Sequence, residues 1–230
     1  MTKFKFLLFV AVLVGFATIA YAGFDDGKTA YERGDYDRAY KEFRDLAEQG
    51  HAGAQFSLGV MYELGNGVPQ DDEEALRWYR KAGEQGNIDA QHNLGYMYAN
   101  GQGVMQDYAE ALKWYRKAAE QGNALAQNAL GWMYNKGEGV MQDYAEALKW
   151  YLKAGEQGNA FAQNNLGSMY ANGQGVPQDF VLAHMWFNLA AAQGNSDAQD
   201  SRDNLAKGMT PVQIAEAQRM ASEWKPKGRD

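Results

Sequence analysis

The side chains that could carry chemistry in this sequence do not form a recognisable catalytic set. Its three histidines, His51, His92 and His184, are far apart, and no two lie four residues apart as zinc ligands on one helix would. The chain has no cysteine, which excludes a thiol nucleophile, and no serine stands in a Gly-x-Ser-x-Gly setting. The sequence therefore predicts no catalytic residues and no metal or cofactor site, and we expect the protein not to be an enzyme.

Two further patterns could suggest chemistry, but both have a structural explanation. Glycine-rich segments such as Gly65-Asn66-Gly67 and Gly101-Gln102-Gly103 could hold a phosphate. A phosphate loop follows a strand and ends in Lys-Ser or Lys-Thr, whereas these segments follow a helical pattern and recur along the chain. Acidic pairs such as Asp72 with Glu73 precede apolar helical patterns, where the helix dipole favours anions. We interpret the first as turns and the second as helix starts.

These residues belong to a unit that repeats every 36 residues. The repeat is marked by a leucine and a tryptophan at constant spacing, namely Leu58, Leu94, Leu130 and Leu166, and Trp78, Trp114, Trp150 and Trp186. A period of this size is typical of stacked helical units, each of which buries its apolar side only against its neighbours.

Each copy predicts two helices, as residues 87–122 illustrate. Asn87 suits the N-cap of a first helix, and Gly101 suits its end because glycine adopts positive φ without strain. Asp107 with Glu110 predicts a capping box at the start of a second helix, as do Asp71 with Glu74 and Asp143 with Glu146 in other copies. Mid-helix glycine costs ~1 kcal/mol relative to alanine, so its recurrence predicts a close helix–helix approach at Gly59, Gly95, Gly131 and Gly167.

The ends of the repeat region differ from its middle. Residues 23–57 predict an N-terminal tetratricopeptide-like capping unit, residues 58–201 the four 36-residue copies, and residues 202–230 a C-terminal capping helix and tail. Thr210-Pro211 suits the N-cap and first turn of that closing helix, which we expect to reach about Trp224. The tail over residues 225–230 is expected to be frayed.

The first 22 residues have the pattern of a cleaved export signal. Lys3 and Lys5 precede an apolar run over residues 6–20, and Ala20-Tyr21-Ala22 predicts a cut after Ala22. The alternative, a retained membrane anchor, is disfavoured because 15 apolar residues fall short of the ~20 that span a bilayer. We therefore expect a periplasmic or secreted protein without a membrane span after cleavage.

The charge balance bears on the partner. The chain has 22 basic and 29 acidic residues, and loss of Lys3 and Lys5 leaves 20 against 29, a net charge of −9. Nucleic acids and anionic membranes attract basic surfaces, so neither is expected as the main partner.

The repeated segment AQHNLGYMYANGQGVMQDYAEALKWYRKAAEQGN and its copies resemble the Sel-1-like repeat family, relatives of tetratricopeptide repeats. The resemblance implies an all-α fold, a right-handed superhelical α-solenoid of antiparallel helix pairs. It also implies an adaptor that binds other proteins. Some members of the family carry paired cysteines and have been linked to penicillin binding; this chain has no cysteine, so that property is not carried over.

Some positions of the first helix change between copies while the packing positions repeat, and the changing positions share one face. By resemblance to tetratricopeptide grooves, this face lines the concave side and forms a protein-binding groove. The candidate groove residues are Phe56, Asp89, His92, Tyr96, Asn128, Trp132, Asn135, Lys136, Asn164 and Ser168. Aromatic rings offer contact area and amides can bond a peptide main chain. Ordinary surface or filler between repeats remains the alternative at each position.

Two functions follow as hypotheses. The first is a non-catalytic scaffold that holds a protein or peptide in the groove. The alternative is a cell-wall module that binds peptidoglycan or another carbohydrate through the same aromatic and amide side chains. Hydrolysis is a third and weaker hypothesis. His92 could titrate near pH 6.5, as a pH sensor or as a solvated bystander.

Overall fold

The computed structural model of the protein describes residues 23–227, which form helices joined by turns, with no β-strand among them. The predicted signal over residues 1–22, its cut after Ala22 and the last three residues of the tail lie outside the described residues. Between residues 23 and 227, no helix combines the length and apolar composition needed to cross a bilayer. The chain divides into two compact units, one ending at Gln106 and one beginning at Asp107.

Unit 1 consists of helices that pack in chain order. Its described helices are α1 over residues 23–32, α2 (Tyr36–Glu48), α3 (Ala52–Leu64), α4 (Asp72–Glu84) and α5 (Ile88–Asn100). Among these, α2 packs on α3, α3 on α4 and α4 on α5. The odd-numbered helices α3 and α5 are the first helices of their repeats, and α4 is a second helix.

Unit 2 continues the same pattern and ends in two further helices. Its helices are α6 (Tyr108–Glu120), α7 (Ala124–Lys136), α8 (Tyr144–Glu156), α9 (Ala160–Asn172), α10 (Phe180–Ala192), α11 (Ser196–Ala206) and α12 (Pro211–Glu223). Consecutive helices from α6 to α11 pack together, and α12 packs on α10. The predicted fold class, an all-α solenoid built from helix pairs, is confirmed.

Short polar side chains and glycines set the ends of these helices. Each first helix α3, α5, α7 and α9 ends at a glycine with positive φ, namely Gly65, Gly101, Gly137 and Gly173. Asparagine caps the start of most first helices, and His51 takes that place at α3, where its Nδ1 accepts from the Ala54 amide at 3.1 Å. One of the three histidines is therefore a helix cap.

The predicted capping boxes are only half formed. Asp71 Oδ1 accepts hydrogen bonds from the amides two and three residues on, both at 3.0 Å. The prediction that the Asp71 amide donates to the Glu74 carboxylate is wrong, because this amide donates to the Tyr62 carbonyl at 2.9 Å. Glu74 instead forms an ion pair with Arg77. Asp143 repeats the arrangement, with its amide on the carbonyl of the preceding first helix.

The mid-helix glycines mark places where an aromatic ring lies directly on the backbone. A Cβ built at these positions would lie 2.5 Å from the ring carbon Cδ1 of an aromatic residue of the next helix, in the pairs Gly59 with Tyr79, Gly131 with Tyr151, and Gly167 with Phe187. Carbon atoms in contact prefer 3.5–4.0 Å. The predicted close approach is confirmed at these three glycines.

A buried glutamine links each first helix to the second helix before it. The Nε2 of each donates to the main-chain carbonyl eight residues earlier at 2.9–3.1 Å, in Gln55, Gln91, Gln127 and Gln163. Gln163 also accepts from Gln193 at 2.7 Å. Each of these carbonyls lies near a helix end and also accepts a hydrogen bond from a main-chain amide of the following turn at 3.0–3.1 Å. The glutamines thus join the start of each first helix to the end of the second helix before it.

The C-terminal helix covers the apolar side of the last second helix. Trp224 meets Trp186 of α10 edge to face, with ring centroids 6.3 Å apart. The expectation of a frayed tail is wrong for its described part, because Lys227 donates its amide to the Glu156 carbonyl at 2.8 Å and pairs its ammonium with the Glu156 carboxylate at 2.7 Å. The tail therefore docks on α8.

Candidate functional site

In unit 1, the first-helix positions that differ between copies lie on α3 and α5. We name as the unit 1 face Phe56 and Glu63 of α3 together with Asp89, His92 and Tyr96 of α5. Tyr96 is 45% exposed although packing does not require a ring there, and Asp89 is exposed in the first turn of α5. Phe56 is half-buried, with its ring 5.6 Å from that of Tyr79.

A polar cluster lies in the middle of the unit 1 face. The Tyr79 hydroxyl donates to the Glu63 carboxylate and also bonds Asn93, so that a side chain of α4 connects α3 with α5. Burial raises the pKa of Tyr79, and the bond to Glu63 acts in the same direction. The hydroxyl therefore remains a hydrogen-bond donor at every ordinary pH.

His92 is part of this cluster and is not a solvated bystander. It is half-buried, and its Nδ1 lies 3.1 Å from Oδ1 of Asn93. Burial lowers the pKa of His92 below its ordinary value, although its bond with Asn93 and the nearby Asp89 and Glu63 carboxylates act in the opposite direction. The imidazole is consequently neutral at neutral pH.

The equivalent positions of unit 2 carry one larger ring, that of Trp132, and more amides. We name as the unit 2 face Asn128, Trp132, Asn135 and Lys136 of α7 together with Asn164 and Ser168 of α9. Trp132 is 39% exposed, and two apolar side chains at the N-terminal ends of the same helices, Leu125 and Phe161, are 50% and 64% exposed. Contacts between α7 and α9 place the two first helices side by side.

Amide side chains connect these two helices. Asn165 of α9 donates to the Asn128 side chain of α7 at 3.1 Å, so that Asn128 is held in place rather than free. Asn164 and Ser168 are half-buried, and the Asn164 Oδ1 is a buried acceptor without a protein partner. Asn135 is half-buried as well, whereas Lys136 is exposed at the end of α7.

The structure thus brings the candidates of each unit onto its own first helices. Two residues that the sequence analysis did not single out, Asn93 and Asn165, connect the neighbouring helices of each face. They occupy equivalent positions in the second and fourth copies, where the first and third copies have Ser57 and Ala129. Variation at that position was the signal that could have identified them.

Neither face gathers the acidic and histidine side chains that a metal centre needs. Over residues 23–227, no group of three or more His, Asp or Glu side chains is placed to hold a metal ion. The faces instead offer exposed rings, fixed amides and a few charges. Such surfaces favour contact with a peptide main chain and its side chains.

The repeats match a known family along most of their length. The family profile described as Sel1 repeat matches four consecutive segments, residues 52–87, 88–123, 124–159 and 160–195, which is more than half of the chain. The chain belongs to the Sel1 repeat family. In this family the repeats generally mediate protein–protein interaction.

Solved Sel1 repeat structures resemble the chain closely. One is a protective antigen of uropathogenic Escherichia coli with a Sel1-like repeat fold, which is 38% identical over 89% of this chain and 46% of that protein, with a TM-score of 0.77. Another is a Sel1 repeat protein of Oxalobacter formigenes, 34% identical over 85% of this chain and 84% of that protein, with a TM-score of 0.75.

A curated relative shares only part of the repeat region. It is an exopolysaccharide production negative regulator of Rhizobium meliloti, 40% identical over 57 residues, which are 25% of this chain and 21% of that protein. The chain thus spans about a fifth of the length of the curated relatives it matches.

Proposed function

We propose that this Sel1 repeat protein is an exported, non-catalytic scaffold that binds a protein or peptide partner through its first-helix faces. The observation that supports this most strongly is the pair of exposed aromatic residues, Tyr96 and Trp132, at the same position of the second and third copies. The residues that pack the repeats are constant and buried, so these rings are not explained by stability.

The environment of the two rings supports the same proposal. Tyr96 stands on the helix that presents His92 and Asp89, and Trp132 stands beside Asn128, whose amide is held by Asn165. Rings surrounded by fixed hydrogen-bonding groups are typical of residues that dominate protein interfaces, where truncation of Trp or Tyr costs ~2 kcal/mol or more. Loss of either ring should therefore weaken a complex about thirtyfold.

Export to the periplasm or the cell exterior is part of this proposal. It rests on the basic start, the apolar run and the Ala20-Tyr21-Ala22 pattern of the first 22 residues. Fractionation of cells that express the full-length chain, with N-terminal sequencing of the product, tests it. A cytoplasmic product that retains residue 1 would refute export while leaving the binding proposal intact.

Site-specific crosslinking tests the binding faces directly. A photoreactive phenylalanine analogue is placed at position 96 or 132 of the full-length protein in its own cell, and crosslinked partners are identified by mass spectrometry. Met105 and Met141 provide matched control positions, because each is an apolar loop residue that is 88% exposed and lies off the first helices.

The expected result is one protein or peptide partner crosslinked from position 96 or 132 and absent from the control positions. The Tyr96→Ala and Trp132→Ala substitutions should then reduce recovery of that partner in a pull-down. Equal crosslinking from positions 105 and 141, or unchanged recovery with both substitutions, would contradict the proposal.

Carbohydrate binding is a second candidate, supported by the composition of the unit 2 face. Helices α7 and α9 carry no acidic residue and one basic residue, Lys136, beside Trp132 and several amides. An aromatic ring bordered by uncharged hydrogen-bonding groups suits a neutral sugar. Sedimentation with purified cell-wall sacculi separates the candidates, because a purely protein-binding scaffold stays in the supernatant. The two curated relatives are named for exopolysaccharide production, but the match covers only about a fifth of each, and we do not assign that role to this chain.

A further inference from the structure

The N-terminal part of unit 1 contains a small apolar cavity that opens to solvent. It has a volume of about 180 Å³ and is lined by residues of α1, α2 and α3, namely Lys28, Tyr31, Glu32, Phe43, Phe56, Ser57 and Val60. An apolar cavity of about 150 Å³ in another protein accommodates a benzene molecule. The cavity therefore has room for one aromatic ring or one branched aliphatic side chain.

A small side chain lines the cavity at a position where two other copies have large rings. Val60 is equivalent to Tyr96 and Trp132 of the next two copies. The wall of the cavity is rigid, because Phe56 packs on Tyr79 with ring centroids 5.6 Å apart and the Tyr79 hydroxyl is bonded to Glu63. A wall that is already ordered does not have to be immobilised when a ligand enters.

Acidic side chains predominate on the helices around the cavity. Helices α1, α2 and α3, which line the cavity, together carry eight acidic and four basic residues. Glu63 lies one helical turn beyond Val60 on α3, and Glu63 and Asp89 both influence His92 electrostatically. The three residues from Val60 to Glu63 rise ~4.5 Å along the helix, which lies between the ~3.3 Å and ~6.6 Å that one and two residues of an extended peptide cover.

From this cavity and the carboxylates beside it, we propose that unit 1 recognises a peptide segment with one bulky apolar side chain and a lysine or arginine near it. The apolar side chain enters the cavity between α1 and α3, and the cation pairs with Glu63. This inference rests on the proposed function and specifies the ligand of the unit 1 face. A second copy of the chain is a poor occupant, because its net charge of −7 repels an acidic surface.

The test uses an array of short capped peptides in a Gly-Ser background, probed with the purified protein. Four designed sets carry Phe with Lys, Phe alone, Lys alone, or Phe with Glu, each at several spacings, and a fifth set is random in sequence. Peptides with Phe and Lys should bind at least about tenfold more strongly than each of the other designed sets. Added salt should reduce that advantage.

Variants of the protein connect the preference to the cavity. Val60→Trp introduces the residue that the third copy has at this position, and it should abolish the preference for Phe. Val212→Trp makes the same change at a position of α12 that is 78% exposed and lies outside both faces, and it should leave the preference intact. Glu63→Gln should retain the preference for Phe and lose the discrimination between Lys and Glu.

The outcomes distinguish this inference from the proposed function. Equal binding of the Phe-Lys and Phe-Glu sets by the unaltered protein would overturn the inference without any variant. Binding of random peptides that requires Trp132 but is unaffected by Val60→Trp would also overturn the inference. In that case the proposal of a binding scaffold still stands. If no peptide binds and crosslinking from positions 96 and 132 also fails, the proposed function fails as well.

Discussion

Replacement of Gly131 by alanine tests whether the constant glycines are required by the rings that lie on them. The new Cβ would lie 2.5 Å from Cδ1 and 2.6 Å from Cε1 of Tyr151. Comfortable carbon contacts are 3.5–4.0 Å, so the ring would have to retreat by about 1 Å. Tyr151 is 2% exposed, and a buried ring has no space into which to retreat.

Two opposing effects decide the sign of the change. Alanine is favoured over glycine inside a helix by ~1 kcal/mol, whereas overpacking of a core costs ~1–3 kcal/mol. Because the obstacle is a buried ring, we expect the upper part of that range and a net loss of about 1–2 kcal/mol. Urea unfolding followed by circular dichroism measures this loss as a lower midpoint with an unchanged slope.

Gly155→Ala is the matched control in the same unit. Its Cβ would meet the end of a flexible leucine, Cδ1 of Leu166, and two other copies already have alanine at this position, Ala119 and Ala191. We expect the stability to change by less than ~0.5 kcal/mol or to rise. In a Tyr151→Leu background, the cost of Gly131→Ala should shrink by ~0.5 kcal/mol or more. If Gly131→Ala stabilises the protein as the control does, close ring contact is not the reason for the glycine.

Three more changes test other parts of the structure. Gln163→Leu removes two side-chain hydrogen bonds, the one donated to the Gly155 carbonyl and the one accepted from Gln193, and should lower the free energy of unfolding by ~1–3 kcal/mol in urea unfolding; no loss would mean that water replaces the side chain. His184 is buried, and its burial and the nearby positive Arg202 lower its pKa. The free energy of unfolding should therefore be highest above about pH 6.5 and fall at lower pH, because the imidazole takes up a proton more readily in the unfolded chain than in the folded protein. His184→Leu should remove part of that acid loss between pH 6.5 and 5, and an identical pH profile would refute the assignment. Trp224→Ala should release α12 from α10 and increase proteolysis after Gly208, whereas unchanged cleavage would show that the ring contact does not hold the helix.

The fold could be predicted from the sequence because each copy contains the same local signals for the start, the end and the apolar face of its helices. Caps, glycine stops and a leucine–tryptophan spacing all favour the same helix pair, and the structure confirms it. The buried glutamines were not predicted. Glutamine is usually a surface residue, and the bond from Gln127 to the Ala119 carbonyl appears only when two helices are placed against each other. The prediction of a capping box at Asp71 was wrong for the same reason, because the Asp71 amide donates to the Tyr62 carbonyl of the preceding helix.

The candidate faces could be predicted only as positions. Variation between copies indicates where packing makes no demand, and Tyr96 and Trp132 are indeed exposed. Variation does not reveal which variable side chains are already engaged, as Asn128 is with Asn165. Nor does it reveal a cavity, because the space beside Val60 depends on the rings of α1 and α2 as much as on α3.

One position of the repeat differs between copies although the helix around it is constant. Val60, Tyr96, Trp132 and Ser168 are equivalent residues on four first helices whose caps and glycine ends are nearly the same. Four side chains of such different volume cannot all be demanded by one packing geometry. The constant leucines, glycines and glutamines therefore carry stability, and this position is free to be selected for binding. It follows that exchange of these residues between copies should change ligand preference far more than it changes the free energy of unfolding.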